Sequence, residues 1–288
     1  ALDLADPAND VRVDGSGYRV GVYAQDEWQI GGAFSATLGL RADRNNAIGT
    51  TFSPRGAPIW KATAGTTLKA LYGRAHRAPN AYERDYDDRY SQVSNLTLEG
   101  ERIDTTEVVA DHRIGTDLSL RAALYQWDIH DIIVLGIDPA SGLTQYQSGP
   151  IIDARGLELS ADKTWAAGAR LRGSVAVQDV AYDSGARLVN SPDVLGKLNL
   201  SVPLPWLGLH AGYELRYDSS RLTLDGTELK GYALSNLNLR TEARGLELSI
   251  SLLNLFDTQY AQPGADTNWQ NALEQDGRSV RARISYRF

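Results

Sequence analysis

From Ser279 to Phe288 the chain alternates without a break. Val280, Ala282, Ile284, Tyr286 and Phe288 form one set, and Ser279, Arg281, Arg283, Ser285 and Arg287 form the other. A strand has period two, so the two sets lie on opposite faces. A single strand of this kind fits two folds. In a water-soluble sheet the apolar row packs on a core. In a transmembrane barrel it faces lipid, while the arginines face a wet lumen. One strand does not choose between them, but its repetition along the chain does.

Thirteen segments carry period-two patterning, over 18–30, 33–45, 52–63, 66–76, 102–114, 117–136, 143–164, 169–181, 193–203, 207–219, 229–242, 245–256 and 278–288. The apolar rows run through Phe34, Ala36, Leu38 and Leu40, through Leu118, Leu120, Ala122 and Leu124, and through Leu246, Leu248, Ile250 and Leu252. Short links near 31–32, 64–65, 115–116, 166–168, 203–205 and 243–244 alternate with longer ones at 46–51, 77–101, 137–142, 182–192, 220–228 and 257–277. An up-and-down membrane barrel sorts its connections in this way, with tight turns on one side and long loops on the other. A Greek-key sandwich has no reason to. Trp28, Trp60, Trp165 and Trp206 fall close to short links, the place of an aromatic girdle at the headgroup level. The fold expected is therefore an all-β, antiparallel transmembrane β-barrel domain spanning 1–288. Whether residues 1–17 add a strand is left open.

Composition narrows the function. No stretch reaches the roughly 18 uncharged apolar residues of a membrane-crossing helix, which leaves barrels untouched. The absence of cysteine excludes disulfides, thiolate metal sites and thiol catalysis. A net charge of −7 with scattered basic residues argues against nucleic acid as a partner. His76, His112, His130 and His210 sit on separate strands, so no metal site is expected. No nucleophile–base spacing points to an enzyme, and no cofactor is implied.

Ordered pieces then match a known pattern. They are Ser53-Pro54-Arg55, the run from Leu71 to Asn80, Glu101-Arg102 with Glu107, Ala154 to Leu159, Asn254-Leu255-Phe256-Asp257 with Tyr260, and the closing Tyr286-Arg287-Phe288. In this order they resemble the carboxy-terminal part of a TonB-dependent outer-membrane receptor barrel. His76 stands where that family usually has Phe. The resemblance implies a barrel of about 22 strands around a plug, of which this chain would be the second part, a fragment or truncated scaffold. It also implies the bacterial outer membrane, with lipid and lipopolysaccharide as surroundings. Energised uptake would run through the TonB complex, acting on a plug absent from this chain. The ligand implied is a small molecule, most often a ferric siderophore, with cobalamin or a saccharide as other choices. A plugless passive pore is the alternative. Phe288 would belong to the recognition signal for barrel insertion.

Two loops draw attention. The stretch 77–101 carries Tyr82, Asp85, Tyr86, Asp87, Asp88 and Tyr90, and 257–277 carries Gln259, Tyr260, Gln262, Asn268, Trp269 and Gln270. Loops of this length are usually functional or disordered. Aromatic faces beside hydrogen-bonding groups suit capture of a planar or sugar-bearing ligand. A solvated loop holding a divalent cation or touching lipopolysaccharide fits the first loop equally well. The expected ligand-binding set is Arg77, Tyr82, Tyr86, Tyr90 and Trp269, with the Arg77 and Arg74 charges directed at an anionic complex. Arg41, Arg121, Arg155, Glu158, Arg170, Arg172, Glu214, Arg216, Arg240, Glu247, Arg281 and Arg283 are expected on the lumen face, mostly in charge ladders.

Overall fold

A computed structural model describes residues 16–205, 208–265 and 268–286. The first strands are β1 (Arg19–Ile30), β2 (Phe34–Asn45), β3 (Gly49–Lys61) and β4 (Thr66–Arg77), followed by a one-turn helix, α1 (Ala81–Asp85). Next come β5 (Glu101–Ile114), β6 (Leu118–His130), β7 (Ile133–Ile137), β8 (Thr144–Ser148), β9 (Ile152–Thr164) and β10 (Arg170–Tyr182). The chain continues through β11 (Val194–Leu204), β12 (Leu209–Asp218), β13 (Arg221–Leu222), β14 (Glu228–Leu229) and β15 (Tyr232–Ala243). It closes with β16 (Leu246–Leu253), β17 (Ala261–Pro263), β18 (Ala272–Glu274) and β19 (Ser279–Tyr286). No helix is long and apolar enough to cross a membrane.

Thirteen of these strands form one antiparallel sheet in the order β1-β2-β3-β4-β5-β6-β9-β10-β11-β12-β15-β16-β19. This is the number of strands expected from the alternation. Small two-stranded ladders, β7–β8, β13–β14 and β17–β18, decorate the long links. The sheet does not close on itself, since β1 and β19 each have a single hydrogen-bonded neighbour among the described residues.

The apolar rows stay uncovered. Val20, Val22, Leu38, Leu40, Leu248, Ile250 and Ile284 are all exposed, Val22 at 71% and Ile284 at 74%. Leaving such side chains in water costs roughly 1.5–3 kcal/mol each relative to burying them, so this face needs an apolar solvent, and lipid supplies it. The register carries one continuous row across strands: Leu171 lies opposite Leu200, Leu200 opposite Tyr213, Tyr213 opposite Leu237, Leu237 opposite Leu252, and Leu252 opposite Val280. At the short-turn end, Phe34 and Trp60 stack at 5.6 Å on this face, and Trp28 and Trp165 are also exposed. That is the arrangement of an aromatic girdle. Trp206 lies outside the described residues.

The links at 31–33, 62–65, 115–117, 165–169, 205–208 and 244–245 fall on one side, and the long links fall opposite. The tightest is Arg244-Gly245. Both residues have positive φ, 51° and 80°, the pair of values a two-residue type I′ hairpin demands. Gly245 meets that demand without a Cβ penalty.

Three expectations are corrected. The link after β2 is only three residues, 46–48, so the length alternation begins one hairpin later than the sequence suggests. The strands expected over 117–136 and 143–164 each divide. Asp131 takes φ 54° and ends β6, and the amide of Gly149 donates to the Ile132 carbonyl at 2.7 Å, so β7 and β8 leave the sheet as a separate hairpin. Arg155 is on the outer face rather than the lumen face. It shares parity with Leu157 and Leu159 and pairs outside the sheet with Asp179 at 2.8 Å.

Candidate functional site: two loop platforms on the long-link side

The first platform starts at Arg77, the last residue of β4. Its guanidinium donates to both Glu101 carboxylate oxygens, at 2.5 and 2.7 Å, and to both Glu83 oxygens at 3.0 Å. Glu83 also closes a capping box with Asn80. The Asn80 Oδ1 accepts from the Glu83 amide at 2.9 Å, and the Glu83 carboxylate accepts from the Asn80 amide at 2.8 Å. Two orphan amides of α1 are thereby satisfied. The run Arg77-Ala78-Pro79-Asn80 thus reads as a strand end, a turn and a helix cap. Arg77 thus acts as a clamp between β4, β5 and α1, with its guanidinium engaged by two carboxylates. Arg74 is likewise engaged, donating to Asp104 at 2.6 Å.

One-turn spacing on α1 and its cap puts Tyr82 and Tyr86 side by side, with ring centroids 4.8 Å apart. Tyr146, from β8, meets the Tyr82 ring edge-on at 6.0 Å. Main-chain bonds lace the two segments together: the Val93 amide donates to the Thr144 carbonyl at 3.0 Å, and the Thr144 amide to the Ser91 carbonyl at 3.0 Å. Asn95 Nδ2 adds a bond to the Tyr146 carbonyl at 2.9 Å. Tyr146 was missed from sequence, although its setting, Gln145-Tyr146-Gln147, has the amide-and-aromatic composition of the flagged loops.

The acidic residues of this loop serve the backbone. Asp88 accepts from the amides of Tyr90, Ser91 and Gln92 at 2.8–2.9 Å, and from the Ser91 hydroxyl. The Ser91 hydroxyl and those amides hold its carboxyl well below the usual carboxylate range. Asp87 accepts from the Arg89 amide at 3.0 Å. Among the described residues no three His, Asp or Glu side chains converge on a common point. Tyr82 and Tyr90 stay more than half exposed.

The second platform is held differently. Asp218, at the end of β12, is fully buried. It receives Arg216 at 2.6 Å, Arg221 at 2.6 Å and the Tyr232 hydroxyl at 2.7 Å. Gln262 of β17 joins by donating to the Tyr232 oxygen at 2.6 Å and accepting from Arg221 at 3.1 Å. Asn271 donates to Asp225 at 2.5 Å. The link 219–231 and the last loop are therefore tied together. Nothing in the sequence marked Asp218 as the hub, because its partners come from three separate segments. Trp269 rides on this platform at 91% exposure, and among the described residues no ring contact or hydrogen bond engages its side chain. The structure brings Tyr82 and Tyr86 together, holds Tyr90 on the same loop, and sets Trp269 on a different platform eight strands further along the sheet.

Residues 1–255 match the family model described as "TonB dependent receptor-like, beta-barrel". The chain belongs to that family. The receptor barrel is 24% identical to the ferric enterobactin receptor of Pseudomonas aeruginosa, over 89% of this chain and 39% of that protein. Among solved structures it superposes on the siderophore receptor PirA of Acinetobacter baumannii with a TM-score of 0.79 at 16% identity, covering 94% of this chain and 46% of that one. The copper transporter OprC gives 0.74 at 18% identity, with 94% and 48% covered. The receptor barrel thus spans less than half the length of these relatives. The family is one of receptors and transporters rather than enzymes, and membership together with the barrel fold implies the bacterial outer membrane.

Proposed function

We propose that the whole receptor imports a scarce small ligand with energy delivered through TonB, and that a ferric siderophore is that ligand. Residues 1–288 would form the carboxy-terminal portion of its barrel, embedded in outer-membrane lipid and lipopolysaccharide. The strand edges of β1 and β19 support a longer protein, because lipid offers no hydrogen-bonding partner to an open edge. Further strands in a chain about twice this length would pair with both.

The observation that carries the ligand reading is the tyrosine cluster. Tyr82, Tyr86 and Tyr146 sit on a platform fixed by main-chain bonds and by the Arg77 clamp, and Tyr82 remains largely open to solvent. Preorganised aromatic faces bind planar or ring-bearing groups with little ordering cost. Tyr90 and Trp269 would extend the contact surface, and Arg77 would position it. The relatives support iron as cargo, while the copper transporter of similar fold keeps the experiment broad.

In the complete receptor, Tyr82→Ala with Tyr86→Ala should weaken binding of the cognate ligand about 10- to 100-fold, in the manner of an aromatic hot spot. A panel of ferric siderophores, cobalamin, copper and oligosaccharides would identify that ligand. Unchanged affinity with an intact barrel would remove this platform from the site. Phe288 lies outside the described residues. Its proposed part in insertion is tested by deleting it and measuring receptor in outer-membrane fractions.

A further inference from the structure

The tyrosine platform stands beyond the ends of β4, β5, β6 and β9, on loops rather than on the barrel wall. Its makeup is therefore independent of what fills the lumen. Two further side chains belong to it. Leu135 lies directly opposite Tyr146 in the β7–β8 ladder, and Ile137 follows on the same face by strand parity. They stay 46% and 59% exposed. Rings and branched aliphatic groups thus share one open, largely apolar surface.

The charge around this surface has one sign. Between 77 and 101 three arginines stand against six carboxylates, and 131–150 adds two aspartates and no cation. Two of the arginines are already matched. Arg77 is held by Glu83 and Glu101, and Arg84 pairs with Asp85 at 3.0 Å. Within these segments that leaves Arg89 against Asp87, Asp88, Glu99, Asp131 and Asp138. The acids also lie close to the rings. Glu83, Asp85, Asp87 and Asp88 are interleaved with Tyr82 and Tyr86 in sequence, and the Tyr86 hydroxyl reaches the Asp88 carboxylate at 3.4 Å. Desolvation, and then that carboxylate, push the Tyr86 phenol up, the direction in which a negative field drives it. An anion settling on this surface would lose hydration to apolar side chains. It would also meet a majority of like charges.

We infer that the platform selects ferric complexes without net negative charge, of the tris-hydroxamate kind, over trianionic tris-catecholate ones. This deepens the siderophore reading and rests on it. Three hydroxamates, each a monoanion, cancel the charge of a ferric ion, and their aliphatic linkers suit Leu135 and Ile137. Three catecholates, each a dianion, leave the complex strongly negative. Contact with the tyrosine rings is open to both kinds, and the acidic surround separates them.

The full-length receptor is titrated with a ferric tris-hydroxamate and with a ferric tris-catecholate, at low and at high salt. The neutral chelate should bind about 10-fold more tightly at low salt, with little salt dependence. Binding of the trianionic chelate should improve as salt rises, because screening weakens repulsion. Asp85→Asn, Asp87→Asn and Glu99→Gln, combined, remove three charges while keeping an oxygen acceptor at each position. They should lower the preference about 10-fold, as a few screened charges at this range can. Tighter binding of the tris-catecholate, weakening of its binding by salt, or a preference that survives the triple variant would overturn the inference. So would binding of neither chelate. Tyr82→Ala with Tyr86→Ala tells the two failures apart. Affinities unchanged in that variant would remove the platform from the site, and the siderophore reading of it with them. Weakened binding there, in a receptor that prefers the tris-catecholate, would remove the charge selection alone.

Discussion

The two platforms on the long-link side reach order by opposite routes. The first, built from 78–100 and the β7–β8 hairpin, is sewn mainly by backbone hydrogen bonds, with Arg77 as a partly exposed clamp. The second, built from 219–231 and 254–278, hangs on one buried carboxylate, Asp218, that gathers two arginines and a tyrosine. Backbone lacing spreads the load over many modest bonds, each contributing about 1 kcal/mol. A buried ionic hub concentrates it, and removal of one partner strands the other charges. The first platform should therefore tolerate point substitution, while the second should fail at a single position.

The largest effect should come from Asp218→Ala. Arg221, only 8% exposed at its side chain, would lose its carboxylate, and the local cost should be about 3 kcal/mol or more. Limited proteolysis should then cut 219–231 and 254–278 while 78–100 stays resistant. Simultaneous release of both platforms would show that they form one unit after all. Arg77→Met should be milder, because its side chain is 45% exposed and such pairs are worth about 1 kcal/mol or less. It should speed cleavage near α1, and high salt applied to the unmodified protein should reproduce part of that change.

Acid gives a subtler contrast. Asp88 has a depressed pKa, so its share of loop stability is fully present above the unfolded carboxylate value of about 3.9 and is lost as pH falls through the folded value. Cleavage within 86–92 should rise only below about pH 4, and Asp88→Asn should raise it at neutral pH. The smallest structural effect belongs to Trp269→Ala. At 91% exposure and with no partner among the described residues, it should change stability by less than about 0.5 kcal/mol while removing an exposed fluorophore. If ligand binding to the receptor quenches that fluorophore, the two platforms act on one ligand.

The barrel was legible because period two is enforced by the medium. Every strand must show apolar groups to lipid, so Leu38, Leu248 and Ile284 declared their face from spacing alone. Arg155 shows how that signal can be overridden by chemistry. Its parity with Leu157 and Leu159 placed it outside, and the expectation that a charge seeks the lumen pointed the wrong way. Outside the apolar band a charge is free to face outward and pair there, as Arg155 does with Asp179. The break at Asp131 carried no such mark, since Ile132 to Ile137 continues the apolar character of a strand while leaving the sheet. The aromatic loop was visible by composition, and its construction was not. Long-range contacts such as Tyr82 with Tyr146, or Asp218 with Arg221 and Tyr232, have no sequence period to betray them.

Strand order in the main sheet is also chain order, and every neighbour in it is the next long strand along the polypeptide. This has a kinetic consequence. Each pairing closes only a hairpin or a modest loop, so the entropy of closure stays small at every step, and contact order is low for an all-β chain. The sheet can lengthen one strand at a time from either end, each new strand templated on the last. A blocked hairpin in the middle, such as a Pro forced into Leu237 of β15, would leave the strands on its two sides as separate half-grown sheets rather than unravel the whole.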